Sequence, residues 1–170
     1  MARRNGTNAR NALWHLFLLM GVVSMAWVPR IPEIKHQFGL SDGGLGFVLL
    51  GSTCGALIGS QVGGRLTHTF GSQRIAGLGA TIMATGLFFM GSAHQILQLF
   101  IGLFVMGFGY VMLDITVNTQ AVAVEKILNK RWMSTFHGTW SVGAFIATVT
   151  GGLVAHQISC LLYTSDAADE

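Results

Sequence analysis

Charged residues leave four long gaps in this chain: Asn11 to Pro29, Gly43 to Gly64, Ile75 to Leu113 and Trp132 to Ser165. Each gap is at least about as long as the helix that crosses a bilayer's hydrocarbon core, and the third has room for two crossings. Only 10% of the 170 residues are charged while 51% are hydrophobic, against roughly 25% charged in an ordinary soluble domain. A backbone in lipid must satisfy its own polar groups, so uncharged runs of this length form helices. The third gap is divided by "GSAHQ", Gly91 to Gln95, a small and polar cluster that predicts a tight helix-to-helix turn.

Five spans follow, over 11–28, 42–64, 74–90, 96–121 and 134–155, and the expected class is an all-α polytopic membrane helix bundle. Ser41 or Asp42 is the expected N-cap of the second span. Pro29 and Pro32 end the first and bias the residues before them toward extended geometry. "SMA", Ser24 to Ala26, would offer a small-residue cleavage site if the first span were a signal peptide. Four spans would still remain.

Ten basic residues orient the bundle. With the N-terminus cytoplasmic, Arg3, Arg4, Arg10, Arg65, Arg74, Lys126, Lys130 and Arg131 fall inside, and Arg30 and Lys35 outside. That distribution is a positive-inside bias. Dispersed over short segments, the same residues give no nucleic-acid-binding surface. Cys54 and Cys160 form neither a metal-ligand spacing nor a disulfide framework, and no metal or cofactor is expected.

The second span carries a glycine at every fourth position: Gly51, Gly55, Gly59 and Gly63. Each costs roughly 1 kcal/mol relative to alanine inside a helix. In lipid, a small-residue seam repays this by letting another backbone come close. The spacing leaves open whether that neighbour belongs to the same bundle or to a separate domain or partner.

Asp114 is the acidic residue inside a span away from any helix boundary, and an intramembrane carboxylate is a functional candidate by default. Tyr110, Asp114 and Asn118 follow at i, i+4 and i+8, one narrow polar stripe on the fourth span. With that span ending near residue 121, Asp114 lies toward the cytoplasmic end, where a structural pair with Arg74 is an equal alternative. On the fifth span His137, Trp140, Ser141, Ala144 and Thr148 share a face. Trp27 and Arg30 close the outer end of the first span, as cargo contacts or as an interfacial belt residue and a snorkelling cation. "HGTWSVG", His137 to Gly143, lacks the first glycine of a nucleophile elbow, where Thr139 stands. No enzymatic activity is expected.

"GGRLTHTFGSQR", Gly63 to Arg74, resembles the loop signature of the major facilitator superfamily, glycine-x-leucine-x-aspartate-x-x-glycine followed by basic residues. Gly64, Leu66 and Gly71 match it and Arg74 supplies a basic residue slightly late, while His68 replaces the aspartate and Thr69 the usual arginine. "WVPRIPEIKHQFGLSDGGLG", "LDITVNTQAVAVEK" and "MSTFHGTWSVGAF" look like matching positions in bacterial YbjJ-type permeases, a branch of that superfamily. Two other superfamily signatures depart: the fourth-span arginine falls on Leu103, and in the antiporter pattern "GAFIATVTGG" Ala147 and Thr148 replace glycine and proline.

The resemblance implies two six-helix halves with the substrate site between them, so five spans would be a truncated first half, lacking its C-terminal partner. It implies a secondary transporter of the bacterial cytoplasmic (inner) membrane that moves a small-molecule substrate, with protons as a candidate coupling ion through Asp114 or His137. A non-transporting helical assembly or scaffold protein is the alternative. On this reading the glycine seam borders the opposite half and, with Gly64, Leu66, Gly71 and Arg74, serves conformational change. Residues 1–159 form the bundle. The closing "LLYTSDAADE" resembles adapter read-through, which makes 160–170 a non-native tail. No internal repeat is visible in the sequence.

Overall fold

The glycine seam has its partner within the bundle. In the computed structural model, which describes the backbone of residues 2–166 and the side chains of residues 6–155, six α-helices and one 3-10 turn account for the ordered elements. The helices are α1 (Ala2–Met25), α2 (Ile31–Gln37), α3 (Asp42–Phe70), α4 (Ser72–Gly91), α5 (Ile96–Leu128) and α6 (Met133–Asp166). There is no strand among the described residues, and five helices are long and apolar enough to cross a membrane. Phe88, Phe145 and Leu97 are each at least 66% exposed, an apolar exterior suited to acyl chains.

Helix α5 is the axis. It packs along α3 on one side, α4 on another and α1 on a third, while α6 lies mainly against α1. A Cβ on Gly55 would fall 2.0 Å from the Phe104 carbonyl oxygen, and one on Gly51 or Gly59 would fall 2.7 or 2.6 Å from the carbonyl oxygen of Phe100 or Phe108. Gly63 meets Met112 in the same way. The seam therefore fits the backbone of α5 turn for turn, which corrects the expectation that its partner lies outside this chain. Helix α4 uses the same device, with Gly79 and Gly86 set against Gly109 and Gly102 of α5.

An internal repeat absent from the sequence is present in these contacts. Gly55 of α3 and Gly107 of α5 each touch the other helix's backbone, at Phe104 and Ser52. Gly21 of α1 and Gly143 of α6 do the same, at Trp140 and Leu18. One reciprocal glycine crossing is thus built twice, α5 on α3 and α1 on α6. Shape complementarity of this kind holds helices together where the lipid removes most of the hydrophobic drive.

Helix ends depart from the expected spans for identifiable reasons. Ser41 caps α3, its Oγ accepting from Gly44 N at 3.1 Å, and Gln95 precedes α5 in an extended conformation. The prolines do not force an extended segment: Val28–Arg30 is a 3-10 turn, and Ile31, before Pro32, is helical at φ −54° and ψ −43°. Both prolines sit in the first turn of their short helices, where the missing N–H is no loss. Helix α3 continues through Phe70, so the motif residues Gly64 and Leu66 lie in its last turns. Gly71 alone reverses the chain into α4, at φ 85° and ψ 149°, a conformation that is essentially glycine's. The proposed junction near residue 159 falls within the backbone of α6, and residues 167–170 lie outside the described residues.

Candidate functional site

Longer helices change the depth of the polar stripe. Asp114 is about 27 Å from the start of α5 and about 21 Å from its end at Leu128, near the middle rather than toward one face. Tyr110, Asp114 and Asn118 are all half-buried on the same flank. Asn118 Nδ2 donates to the Asp114 carboxylate at 3.0 Å and to its backbone carbonyl at 2.9 Å. Arg74 is exposed, and the two ion pairs among the described residues are Arg30 with Glu33 and Lys35 with Asp42. Asp114 is in neither, so the expected structural pair with Arg74 is not formed.

Helix α6 brings its polar face to this stripe across a sparse α5–α6 contact. The His137 imidazole is within electrostatic reach of Asp114. Its ring meets Phe17 of α1 edge to face at 5.4 Å, and Phe17 in turn stacks on Phe136 at 5.3 Å. Trp140 lies beside the Tyr110 phenol, with its buried indole N–H within reach of the phenol oxygen. Ser141 is exposed and gives its hydroxyl to the His137 backbone carbonyl at 3.1 Å, as Thr148 does to Ala144 at 2.9 Å. The hydroxyl of Ser141 is therefore bonded to its own helix and not to the His137 ring.

Trp27 and Arg30 are not brought to this cluster. They line a separate cavity of about 410 Å³ with Glu33, Ile34, Leu87 and Met90, at the end of the bundle where α1 and α4 terminate. Arg30 Nε holds Glu33 at 2.8 Å. Of the loop and seam residues, Gly64 and Gly71 have open space where a Cβ would stand, whereas Gly51, Gly55, Gly59 and Gly63 are buried on α5. No group of three or more potential metal ligands occurs among the described residues.

Sequence reasoning missed Phe17, which sets the His137 ring, and a cluster at the other end of the bundle. There the Arg10 guanidinium lies 5.0 Å from the Trp14 ring centre and 4.8 Å from that of Trp132. Glu125, near the end of α5, accepts from the backbone N–H groups of Trp132 and Met133 and so caps α6. The signal in the sequence was Arg10 one helical turn before Trp14 and Arg131 beside Trp132, but nothing local joins Trp14 to Trp132.

A carboxylate braced by an amide, an imidazole, a phenol and an indole converge from two helices in an otherwise apolar bundle. The sequence matches the profile of the Major Facilitator Superfamily over residues 13–164. It is 35% identical over 147 residues to "Uncharacterized transporter y4wD" of Sinorhizobium fredii, covering 86% of this chain and 39% of that protein. It is 32% identical over 139 residues to "Uncharacterized MFS-type transporter YPO1221/y2967/" of Yersinia pestis, covering 82% and 36%. With "Membrane protein MosC" of Rhizobium meliloti the identity is 29% over 138 residues, covering 81% and 34%. No solved structure gives a significant match. The chain spans less than two fifths of the length of these relatives, and it belongs to the Major Facilitator Superfamily of membrane transporters.

Proposed function

We propose that this chain is the N-terminal part of a secondary active transporter that moves a small solute across the bacterial cytoplasmic membrane by alternating access, with a C-terminal half completing the site. The observation that carries this reading is the half-buried Tyr110–Asp114–Asn118 stripe at mid-depth on α5, with His137 and Trp140 of α6 beside it. Polar groups at that depth are costly and face a pathway when they are kept. Protons are the candidate coupling ion, because Asp114 and His137 are titratable groups within reach of one another. The N-terminus is cytoplasmic on the positive-inside distribution. The quoted segments support a YbjJ-type permease branch, and a profile restricted to that branch would test it.

The scaffold alternative rested on the glycine seam, and that seam is filled by α5. Ser141, exposed and on the polar face, provides the test of transport. In a cysteine-free full-length protein, Ser141→Cys should react with a membrane-impermeant maleimide from both sides of the membrane as the two access states exchange. Labelling from one side alone, at Ser141 and at neighbouring polar-face positions alike, would overturn alternating access around this site.

A further inference from the structure

The segment "EKILNK" followed by Arg131 closes α5 and builds a second polar site, remote from Asp114. Asn129 adopts the left-handed conformation at φ 50° and turns the chain sharply. The N–H groups of Asn129 and Lys130 both go back to the Glu125 carbonyl. Lys130 and Arg131 thereby join Val122, Lys126, Glu125 and Asn129 around a shallow, open depression of about 380 Å³. The Glu125 carboxylate is turned toward the start of α6, where it accepts the N–H groups of Trp132 and Met133. Lys126, Lys130 and Arg131 are exposed and in neither of the ion pairs among the described residues. The lining thus keeps a surplus of positive charge. The α5 C-terminus offsets about half a unit of it.

The loop is held in place as well as charged. The Lys130 ammonium lies 4.7 Å from the Trp132 ring centre, and the Arg10 guanidinium of α1 lies against the same ring. Trp14 meets Trp132 edge to face at 5.7 Å. A ligand here would find cations already positioned, which lowers the ordering cost of binding. Beside them Val122 is 40% exposed, and the site stands at the end of a helix long and apolar enough to cross a membrane.

We propose that this site binds the phosphate of an anionic lipid headgroup, with Lys126, Lys130 and Arg131 around the phosphate and an acyl chain over Val122. The place of the site at the end of α5, where a membrane-crossing helix reaches headgroup depth, decides for a lipid over free phosphate. Each Lys or Arg near an anionic headgroup strengthens binding about fivefold.

The test uses the full-length protein in detergent, titrated with phosphatidylglycerol or phosphatidylcholine, with retained lipid counted by native mass spectrometry. The parent should retain phosphatidylglycerol preferentially, and Lys126→Gln with Arg131→Gln should weaken that retention about 25-fold while leaving phosphatidylcholine retention and thermal melting unchanged. If the double variant melts early, Lys126→Gln alone carries the same test at about fivefold. Equal retention of the two lipids by the parent, or an unaltered preference in the variants, would overturn the site. Displacement of phosphatidylglycerol by millimolar inorganic phosphate would overturn the lipid as its occupant.

Discussion

Gly55→Ala is the sharpest test of how this bundle is held together. The new Cβ would stand 2.0 Å from the Phe104 carbonyl oxygen, 2.8 Å from Phe104 C and 2.9 Å from Phe108 N, all backbone atoms that no rotamer change can move. Ordinary contact begins near 3.4 Å, so α3 and α5 must part by about 1.4 Å at the crossing. A gap of that size forfeits about half the attraction of each atom pair, and roughly forty pairs at about 0.1 kcal/mol each give a loss of about 2 kcal/mol. Replacing glycine within a helix returns about 1 kcal/mol at most. The net effect is destabilising, within the about 1–3 kcal/mol range of overpacked cores. Gly64, on the same helix with nothing within 4 Å of its Cβ position, supplies the control. The full-length protein should melt several degrees lower with Gly55→Ala than with Gly64→Ala, followed by far-UV circular dichroism in detergent. If the two variants melt together, the close approach of α3 to α5 is not what the seam provides.

Three further outcomes are expected. Asp114→Asn keeps the shape of the stripe and an oxygen for Asn118, so it should leave melting unchanged while shifting the inside-to-outside labelling ratio at Ser141→Cys; early melting with an unshifted ratio would make Asp114 structural. Gly71→Val forces a β-branched residue into φ 85° and ψ 149° and should cost about 1–3 kcal/mol, read as lower thermal stability than the same substitution at exposed Gly64. A reporter fused after Arg131 should be cytoplasmic and one fused after Lys35 external, and the reverse pattern would overturn the proposed orientation.

Local spacing made the helices legible, along with the glycine face of α3 and the i, i+4, i+8 stripe on α5, because each is a property of one helix. Helix ends were harder. Arg65, Arg74 and Lys126 look like the limits of spans, yet α3 and α5 run past Arg65 and Lys126, since nothing in a helix requires it to stop where the apolar run does. Pro29 and Pro32 were legible as punctuation but not as first-turn residues of two short helices. The neighbours of each face were not legible at all. That Gly55 meets Phe104, that His137 approaches Asp114 and that Trp132 returns to Trp14 and Arg10 are non-local facts, set by how the helices pack.

The distribution of those contacts bears on how the site could work. Backbone-to-backbone crossings bind α3 and α4 to α5, and a matching crossing binds α6 to α1. Each sets a glycine directly against a neighbouring backbone, and close-packed surfaces of this kind are not continuously deformable. Between the two groups the contact is of a different kind. Helix α1 meets α5 through the side chains of Ile127 and Leu128 at Gly6, and α5 meets α6 only sparingly. The polar cluster lies on that lighter boundary, Tyr110, Asp114 and Asn118 on one side and His137 and Trp140 on the other. A solute bridging the two sides of this cluster would therefore act where the bundle yields most, and leave the glycine crossings intact. Substitutions at Gly55 or Gly143 then report on stability, and those at Phe17, which positions His137 between the two groups, report on the geometry of the site.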